Sequence, residues 1–591
     1  MEMHVSNSNT FENILKNPRI VRNLKYLKIA IIVFAGYSAL VNANPFFENG
    51  NPYYYGINSI LYSQGIFEYS NFLIEDYGSK ETIPPNMLLT NHNSTIPMSG
   101  TGLIFGGAIF YLIGGYYGIL FFSPIMFVLL LIFVERFSTK IFGNYVGLFT
   151  LTIISFSNHL FRNIIEFQTE SLFVLLFCSG VFFLIYFLKF NKRKFLLFST
   201  ITFILSSYVK IIGLISFPLE ITIIFGITIS GFILNRYKNQ LSNFSNRKQI
   251  LKNITIVLLP WMIFFIAYFS YYDYFFDDGL TNYGKENNNT IYDTSIQSIF
   301  EIESKDAENI KQYSKYVLPY LISGGYNTIQ DNFEDVFGSN WIGFLGLGIV
   351  TSGVTISVIT KEKRKVIITF SIFTFTLIWF LSSITPEFRA DLGVAGRYMF
   401  PGFIFATMIL GWVIKKVLTI KDNAKKIVFK KIFLGVKSVL LIGIILFLII
   451  TISFSNQVTN LVEDGLNFDR PYREISNHII NSNELEQDDI ILTKMGPRAI
   501  EYNVSPLNTA TIQKINDKDS VEFLKSIINS NHNVYAFKIP FNNNEKIMIE
   551  DLVEEHGIVL KEYSETFCKV YLKNSTMIKS DDVCINNESI R

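Results

Sequence analysis

Glu48 stands in the stretch FFENGNPYYYGINSILYSQGIF, and Arg162, Glu166 and Glu170 in HLFRNIIEFQTESLFVLLF. Lys210 lies in ILSSYVKIIGLISFP, and Arg389, Asp391, Arg397 and Tyr398 lie in TPEFRADLGVAGRYMFP. Guanidinium forks and ammonium groups suit phosphate, whose oxygens they bind with charge-assisted hydrogen bonds. A lone carboxylate beside them suits a general base that takes the proton of a hydroxyl. Each of these residues taken singly has a duller use, because Arg, Lys and Tyr near the ends of membrane helices commonly anchor them at the interface. Their gathering at one depth makes a site a competing reading.

That depth is set by the apolar segments around them. The chain has 591 residues, 49% hydrophobic, 16% aromatic and only 17% charged, against about 25% charged in soluble domains. Its mean hydropathy is +0.31. Apolar runs of about 18 residues or more recur through the first three-quarters, each long enough to cross a bilayer. The pattern predicts a polytopic α-helical membrane protein with about eleven spans, at roughly 26–43, 114–134, 145–160, 171–188, 195–212, 216–234, 254–272, 341–360, 366–384, 399–418 and 433–454. The polar, long N-terminus does not read as a cleaved signal peptide, so the first span is expected to be retained. Residues 1–455 form the membrane domain, with long loops at about 44–113 and 273–340. Residues 456–591 are charged and Asn-rich, and they mix strand-like pieces (DDIILTK, NVYAFKI, FCKVYLK) with helix-like ones (SVEFLKSIIN, EKIMIEDLVEEHG). They are expected to form a C-terminal extracytoplasmic α/β domain of ordinary size.

The distribution of charge predicts the orientation. Basic residues before span one, after span four (Lys189, Lys192, Arg193, Lys194), after span six, in KEKRK at 361–365 and from Lys415 to Lys431 fall on one side if the spans alternate. The positive-inside rule makes that side cytoplasmic. The acids of the two long loops fall on the other side, where an odd span count also puts the C-terminus. The net charge of +2 and the short basic clusters give no support to nucleic-acid binding. Cys568 and Cys584 could pair if their domain faces an oxidising side. Within the spans the ionisable exceptions are Lys210 and Glu220, flanking a turn that holds Pro218 and close enough to pair.

On the residues quoted above, the chain resembles the GT-C superfamily of membrane glycosyltransferases, in the group of the dolichyl-phosphate-mannose protein mannosyltransferases and aminoarabinose transferases. Glu48 occupies the family's acidic position after the first helix, and TIPMSGTGLIFGGAIFYLIGGYYG resembles its Pro/Gly-containing approach to the next. Glu170 in QTESLFVLLF, Lys210 in ILSSYVKIIGLISFP, and Arg397 with Tyr398 in GRYMFP match further family positions. The likeness runs over roughly 20–455. The chain departs from the family in having a single Glu48 followed by Asn49, and in lacking a His/Tyr-Pro-Pro pattern before span two.

The resemblance implies sugar transfer from a polyprenyl- or dolichyl-phosphate donor to a protein, lipid or glycan hydroxyl at the outer membrane face. Glu48 would be the catalytic base. Lys210, Arg397, Tyr398, Arg389 and Arg162 would bind the donor phosphate, supported by Glu170 and Glu166. No metal ligand set is evident: HExxH and CxxC are absent, and His92 and His159 lack ligand spacing. No cofactor is certain from the sequence, and a divalent metal stays open without support in it. Two other readings stay open, a transporter or lipid flippase and a non-catalytic scaffold of the same fold.

Overall fold

A computed structural model describes residues 18–43, 51–68, 87–90, 94–97, 100–156, 167–237, 243–275, 340–384 and 400–419. In the C-terminal part it describes 489–492, 512–513, 518–529, 533–537, 557–563, 567–572 and 584. The chain divides into two compact units, one of residues 1–43 and 121–458, the other of 44–120 and 459–591.

The first unit is helical. Its helices are α1 (Pro18–Val41), α4 (Tyr116–Phe142), α5 (Asn144–Ser155), α6 (Thr169–Phe190) and α7 (Arg193–Val209). A 3-10 turn (Ile211–Ile215) leads to α8 (Ser216–Tyr237), then α9 (Asn243–Phe275), α10 (Asn340–Thr360), α11 (Arg364–Ile384) and α12 (Phe400–Thr419). Stretches at Val21–Val41, Tyr117–Phe142, Thr169–Phe190 and Leu251–Tyr271 are long and apolar enough to cross a membrane. The protein is a multi-pass membrane protein. Helix α5 is shorter than the expected span 145–160: its 12 residues rise about 18 Å against a hydrocarbon core of about 30 Å. The expected span at 433–454 lies outside the described residues.

Apolar helices in lipid associate through packing, because lipid tails are as apolar as their side chains. Here phenylalanine supplies much of it. Phe137 of α4 stacks on Phe182 of α6 at 3.9 Å between centroids, and Phe370 of α11 on Phe405 of α12 at 4.8 Å. Phe182 also meets Phe370 and Phe405 edge-on, so one aromatic cluster joins four helices.

The helix ends that carry the basic loops come together. Lys415 of α12 donates to the Phe142 carbonyl at the end of α4 (2.8 Å), and Lys365 of α11 to Leu188 in the last turn of α6 (3.5 Å). Arg364 donates to the Ser357 and Val358 carbonyls of α10, and Lys416 pairs with Glu362. These cations satisfy last-turn carbonyls that no helical N–H reaches. Between α10 and α11, burial lowers the pKa of Lys363, and the ammonium groups of Lys189, Lys415 and Lys416 add to the effect. The loops that the charge pattern assigns to one side thus share one end of this unit.

Three helices are tied near that end by a buried cation. Lys28 of α1 donates to Glu135 Oε1 (2.7 Å) and Thr139 Oγ1 (2.7 Å) of α4, and to Asn144 Oδ1 (3.4 Å) at the start of α5. Thr139 in turn donates to Glu135 Oε1 (2.8 Å). By charge pattern alone Lys28 belongs with the basic residues around the start of the first span, and Glu135 falls just beyond the second. The longer α4 brings Glu135 into the bundle.

In the second unit, α2 (Asn51–Ser63) packs on α3 (Thr101–Gly114), and β1 (Met87–Leu89) pairs antiparallel with β2 (Thr95–Pro97). Gly100 starts α3 with φ +76°, and a Cβ there would lie 2.5 Å from the Tyr55 ring, so both conformation and space require glycine. The Ser94 hydroxyl donates to Glu68, which tethers the segment following α2 to the β1–β2 hairpin.

The C-terminal residues hold a mixed sheet in the order β4-β3-β5-β7-β6. Its strands are β3 (Ile490–Leu492), β4 (Ile512–Gln513), β5 (Val534–Phe537), β6 (Ile558–Glu562) and β7 (Phe567–Leu572). Leu524 and Ile527 of α13 (Lys518–Asn529) join the buried cluster of Ile490, Val534, Ala536, Ile558, Leu560, Cys568 and Val570 on one face. Three strands and the helix fall where the sequence pattern puts them, β4 and β6 are additional, and most of the expected helix in EKIMIEDLVEEHG lies outside the described residues.

Cys568 and Cys584 form a disulfide across 16 residues of sequence. Cys568→Ser is expected to cost about 3 kcal/mol through loss of the closed loop, read as a lower urea midpoint for unfolding of the C-terminal residues. Faster proteolysis of that region in the variant is the corroborating readout, and unchanged resistance would show the bond to be unimportant.

Candidate functional site

The described part of the site is built where α6 begins and α7 ends. Glu170 is in the first turn of α6, where the helix dipole favours a carboxylate. Lys210 leaves α7 in an extended conformation, its N–H closing on Ser206 O (2.9 Å). The two side chains meet in an ion pair of 2.7 Å, with only 4% of Glu170 and 14% of Lys210 exposed. Thr169 donates to the other oxygen of Glu170 (3.3 Å). Helix α6 runs from this pair to the basic end at Lys189, about 30 Å away at 1.5 Å per residue. The pair therefore lies at the end of the bundle opposite the basic loops.

The position of Lys210 is set by the turn that follows it. Gly213 donates its N–H to Lys210 O (2.8 Å), and Ser216 Oγ donates to Gly213 O (2.6 Å). A Cβ on Gly213 would come within 2.6 Å of Ser207 N and 2.7 Å of Ser207 Cα, both backbone atoms that cannot turn away. Only glycine lets the 3-10 turn close on α7. Beneath it, Phe177 of α6, Phe203 of α7 and Phe373 of α11 contact one another at 5.6–5.8 Å, and Ser199 Oγ donates to Gly180 O (2.9 Å) to hold α6 against α7.

The expected partner of Lys210 was Glu220; the structure pairs Lys210 with Glu170 instead. Glu220 on α8 is fully buried and accepts from Thr200 Oγ1 of α7 at 3.0 Å, with Trp261 Nε1 of α9 at 3.5 Å. It joins three helices through neutral donors. The physical reason is direction: the 3-10 turn and α8 run back along α7, so Glu220, just past the first turn of α8, reaches the level of Thr200, two to three turns below Lys210. Glu220 stands out in the sequence as an acid in an apolar run, but nothing there points to Thr200 or Trp261, which are separated from it by 20 and 41 residues.

Of the residues read from the sequence, Glu170 and Lys210 are brought together. Glu48, Arg162, Glu166, Arg389, Arg397 and Tyr398 lie outside the described residues. The aromatic segment after Glu48 forms α2, and Tyr62 in it packs edge-on against Phe105 of α3 at 5.1 Å, so two of the motif segments are neighbours. Among the described residues no three His, Cys, Asp or Glu side chains converge as a metal would require.

The fold and this buried pair define a multi-pass helical membrane protein with a charged site at one end of its bundle. No protein-family model matches the chain, and no curated protein matches it in sequence. Among solved structures it is similar to ArnT from Cupriavidus metallidurans bound to undecaprenyl phosphate. That match has 11% identity and a TM-score of 0.47, over 92% of this chain and 97% of that one. It is also similar to the archaeal oligosaccharyltransferase AglB from Archaeoglobus fulgidus in complex with an inhibitory peptide and a dolichol-phosphate. There the identity is 11% and the TM-score 0.45, over 87% of this chain and 70% of that one. At such identities and scores, neither similarity gives a residue of this chain its role.

Proposed function

We propose that the protein is a membrane glycosyltransferase that moves a sugar from a polyprenyl- or dolichyl-phosphate donor to a hydroxyl of a protein, lipid or glycan at the outer membrane face. The observation that carries the reading is the buried Glu170–Lys210 pair, held at the end of the bundle away from the basic loops. These are two of the positions at which the sequence resembles the GT-C enzymes. The Cys568–Cys584 disulfide supports an oxidising, extracytoplasmic location for the C-terminal residues.

In this reading Glu48 takes the proton of the acceptor hydroxyl as its oxygen attacks the anomeric carbon. The bond from that carbon to the phosphate oxygen breaks, and the configuration inverts. The bond's electrons leave with the lipid phosphate, whose growing charge meets Lys210, Arg397 and Arg389, with Arg162 and Tyr398 beside them. Cations already in place for that charge supply the main electrostatic stabilisation. Glu170 fixes the position of the Lys210 ammonium group through their 2.7 Å ion pair. No metal or cofactor enters the scheme.

The test is donor consumption in purified membranes supplied with labelled polyprenyl-phosphate sugars and a mixed acceptor fraction. Glu48→Gln is expected to lower turnover by about 10²–10⁴, the span of a lost general base, with lipid-phosphate binding unchanged. Equal turnover in wild type and variant would remove Glu48 from the mechanism. Failure of the wild type on every donor, with acceptor present, would defeat the transferase reading.

A further inference from the structure

The C-terminal sheet has a second face. Alternation along the strands sends Val534, Ala536, Ile558, Leu560, Cys568 and Val570 to the side of α13. The intervening residues Tyr535, Lys561, Tyr563, Lys569 and Tyr571 therefore belong to the opposite side. Lys561 and Lys569 are direct cross-strand partners in the antiparallel β6–β7 register. Like charges in that relation repel. Both ammonium groups lie over the Tyr571 ring, at 5.6 and 5.8 Å from its centroid, and Lys569 is also 5.8 Å from that of Tyr535.

The ring quadrupoles attract the cations and offset part of the repulsion, and the register sets both lysines on one face of neighbouring strands. Lys569 is aimed by a polar chain: it donates to Asn533 Oδ1 (2.6 Å), and Asn533 Nδ2 donates to Asp489 Oδ1 (2.9 Å). Among the described residues no carboxylate lies within ion-pair distance of either ammonium. Lys561, Lys569 and Tyr571 are half-buried, and Tyr563 is 47% exposed. An anion between the two lysines would relieve the repulsion, and a ring beside it would find an aromatic surface.

We propose that this face binds an acidic saccharide, with the carboxylate of a uronic-acid residue between Lys561 and Lys569 and its pyranose ring against Tyr571. Two cations are too few for a nucleic-acid backbone, whose binding rests on many phosphate contacts. The disulfide at Cys568, next to Lys569, suits the oxidising side of a membrane, where acidic polysaccharides are found and nucleic acids are not. The site does not depend on the transferase reading and would serve a scaffold equally well.

The experiment is fluorescence anisotropy of labelled oligogalacturonate with the full-length protein in neutral detergent. Oligomaltose, phosphatidylglycerol vesicles and a single-stranded oligothymidylate are the comparison ligands. Saturable binding of oligogalacturonate is expected, with no binding of oligomaltose. Lys561→Gln and Lys569→Gln should each weaken it about tenfold, as expected for losing a charge-assisted hydrogen bond. Tyr571→Ala should weaken it about tenfold through lost stacking, and Tyr571→Phe should retain it. Non-reducing electrophoresis of each variant checks the Cys568–Cys584 bond and so the fold around it. If a variant nearer the core misfolds, Lys561→Gln decides between the outcomes, because its side chain is half-buried and leaves the core intact. Absence of saturable binding in the wild type, or equal binding by Lys561→Gln, overturns the proposal. Preferential binding of the lipid vesicles or of the oligothymidylate also overturns it, in favour of those ligands.

Discussion

Exchanging the charges of the buried pair, Glu170→Lys together with Lys210→Glu, is expected to keep the bundle folded while lowering transfer from a polyprenyl-phosphate sugar by about 10²–10³. The single changes confound two effects. Lys210→Met removes the cation 2.7 Å from Glu170, a carboxylate only 4% exposed, and breaking such a pair costs about 3–5 kcal/mol. Glu170→Gln breaks the same ion pair from the other side. The exchange restores the attraction at a smaller cost, about 0.3–1 kcal/mol for a cation in the first turn of α6, where the helix dipole disfavours it. It does not restore a cation at the end of α7. A purely structural pair therefore predicts recovery of both stability and turnover. A phosphate-binding Lys210 predicts recovery of stability alone. Thermal unfolding in detergent and donor turnover in membranes read the two quantities separately, and wild-type turnover by the exchanged protein would end Lys210's assignment.

Lys28→Met is expected to lower the stability of the helical unit by about 3–5 kcal/mol, the cost of leaving one half of a buried pair behind. Glu135 would keep the Thr139 hydroxyl as a donor but lose the charge that lies 2.7 Å away. The side chains are 7% and 17% exposed, so water does little to compensate. The Asn144 amide would lose its donor as well, loosening the join of α1, α4 and α5. Lys28→Met combined with Glu135→Leu should recover most of the loss, because an apolar pair of similar size replaces the ions without an orphan charge. The check is the unfolding midpoint of both variants in one detergent. A single variant as stable as the wild type would show that the network contributes little.

The membrane class, the places of most helices of the first unit and the shared end of the basic loops were legible because each follows from a local quantity, whereas α2 and α3 lie in the stretch read as a loop at 44–113. Apolar length fixes where a helix crosses lipid. Last-turn carbonyls attract Lys and Arg to the helix ends, as Lys415, Lys365 and Arg364 do here. Glu170 and Lys210 could be named individually, since each stood in a motif segment of recognisable type. Their pairing was not legible, because 40 residues separate them and the sequentially nearer acid, Glu220, was the natural partner to expect. The 3-10 turn and the return of α8 along α7 decided otherwise.

The same division holds for the rest of the molecule. Composition by itself determined that the protein is multi-pass, and alternation of apolar residues marked three of the five strands and α13. Periodicity is a property of one segment and its own solvent, so a sequence carries it. Partner choice is a property of two segments, and it depends on crossing positions that no single stretch encodes. Only the tertiary structure decided that Lys210 meets Glu170, that Glu220 closes on Thr200 and Trp261, and that Lys28 enters the bundle with Glu135. It also decided that Cys568 joins Cys584 and that Lys561 and Lys569 stand opposite one another on a single tyrosine. In each case a close contact of a few ångströms is set by the packing of elements far apart in the chain, and packing is where the free energy that distinguishes one partner from another resides.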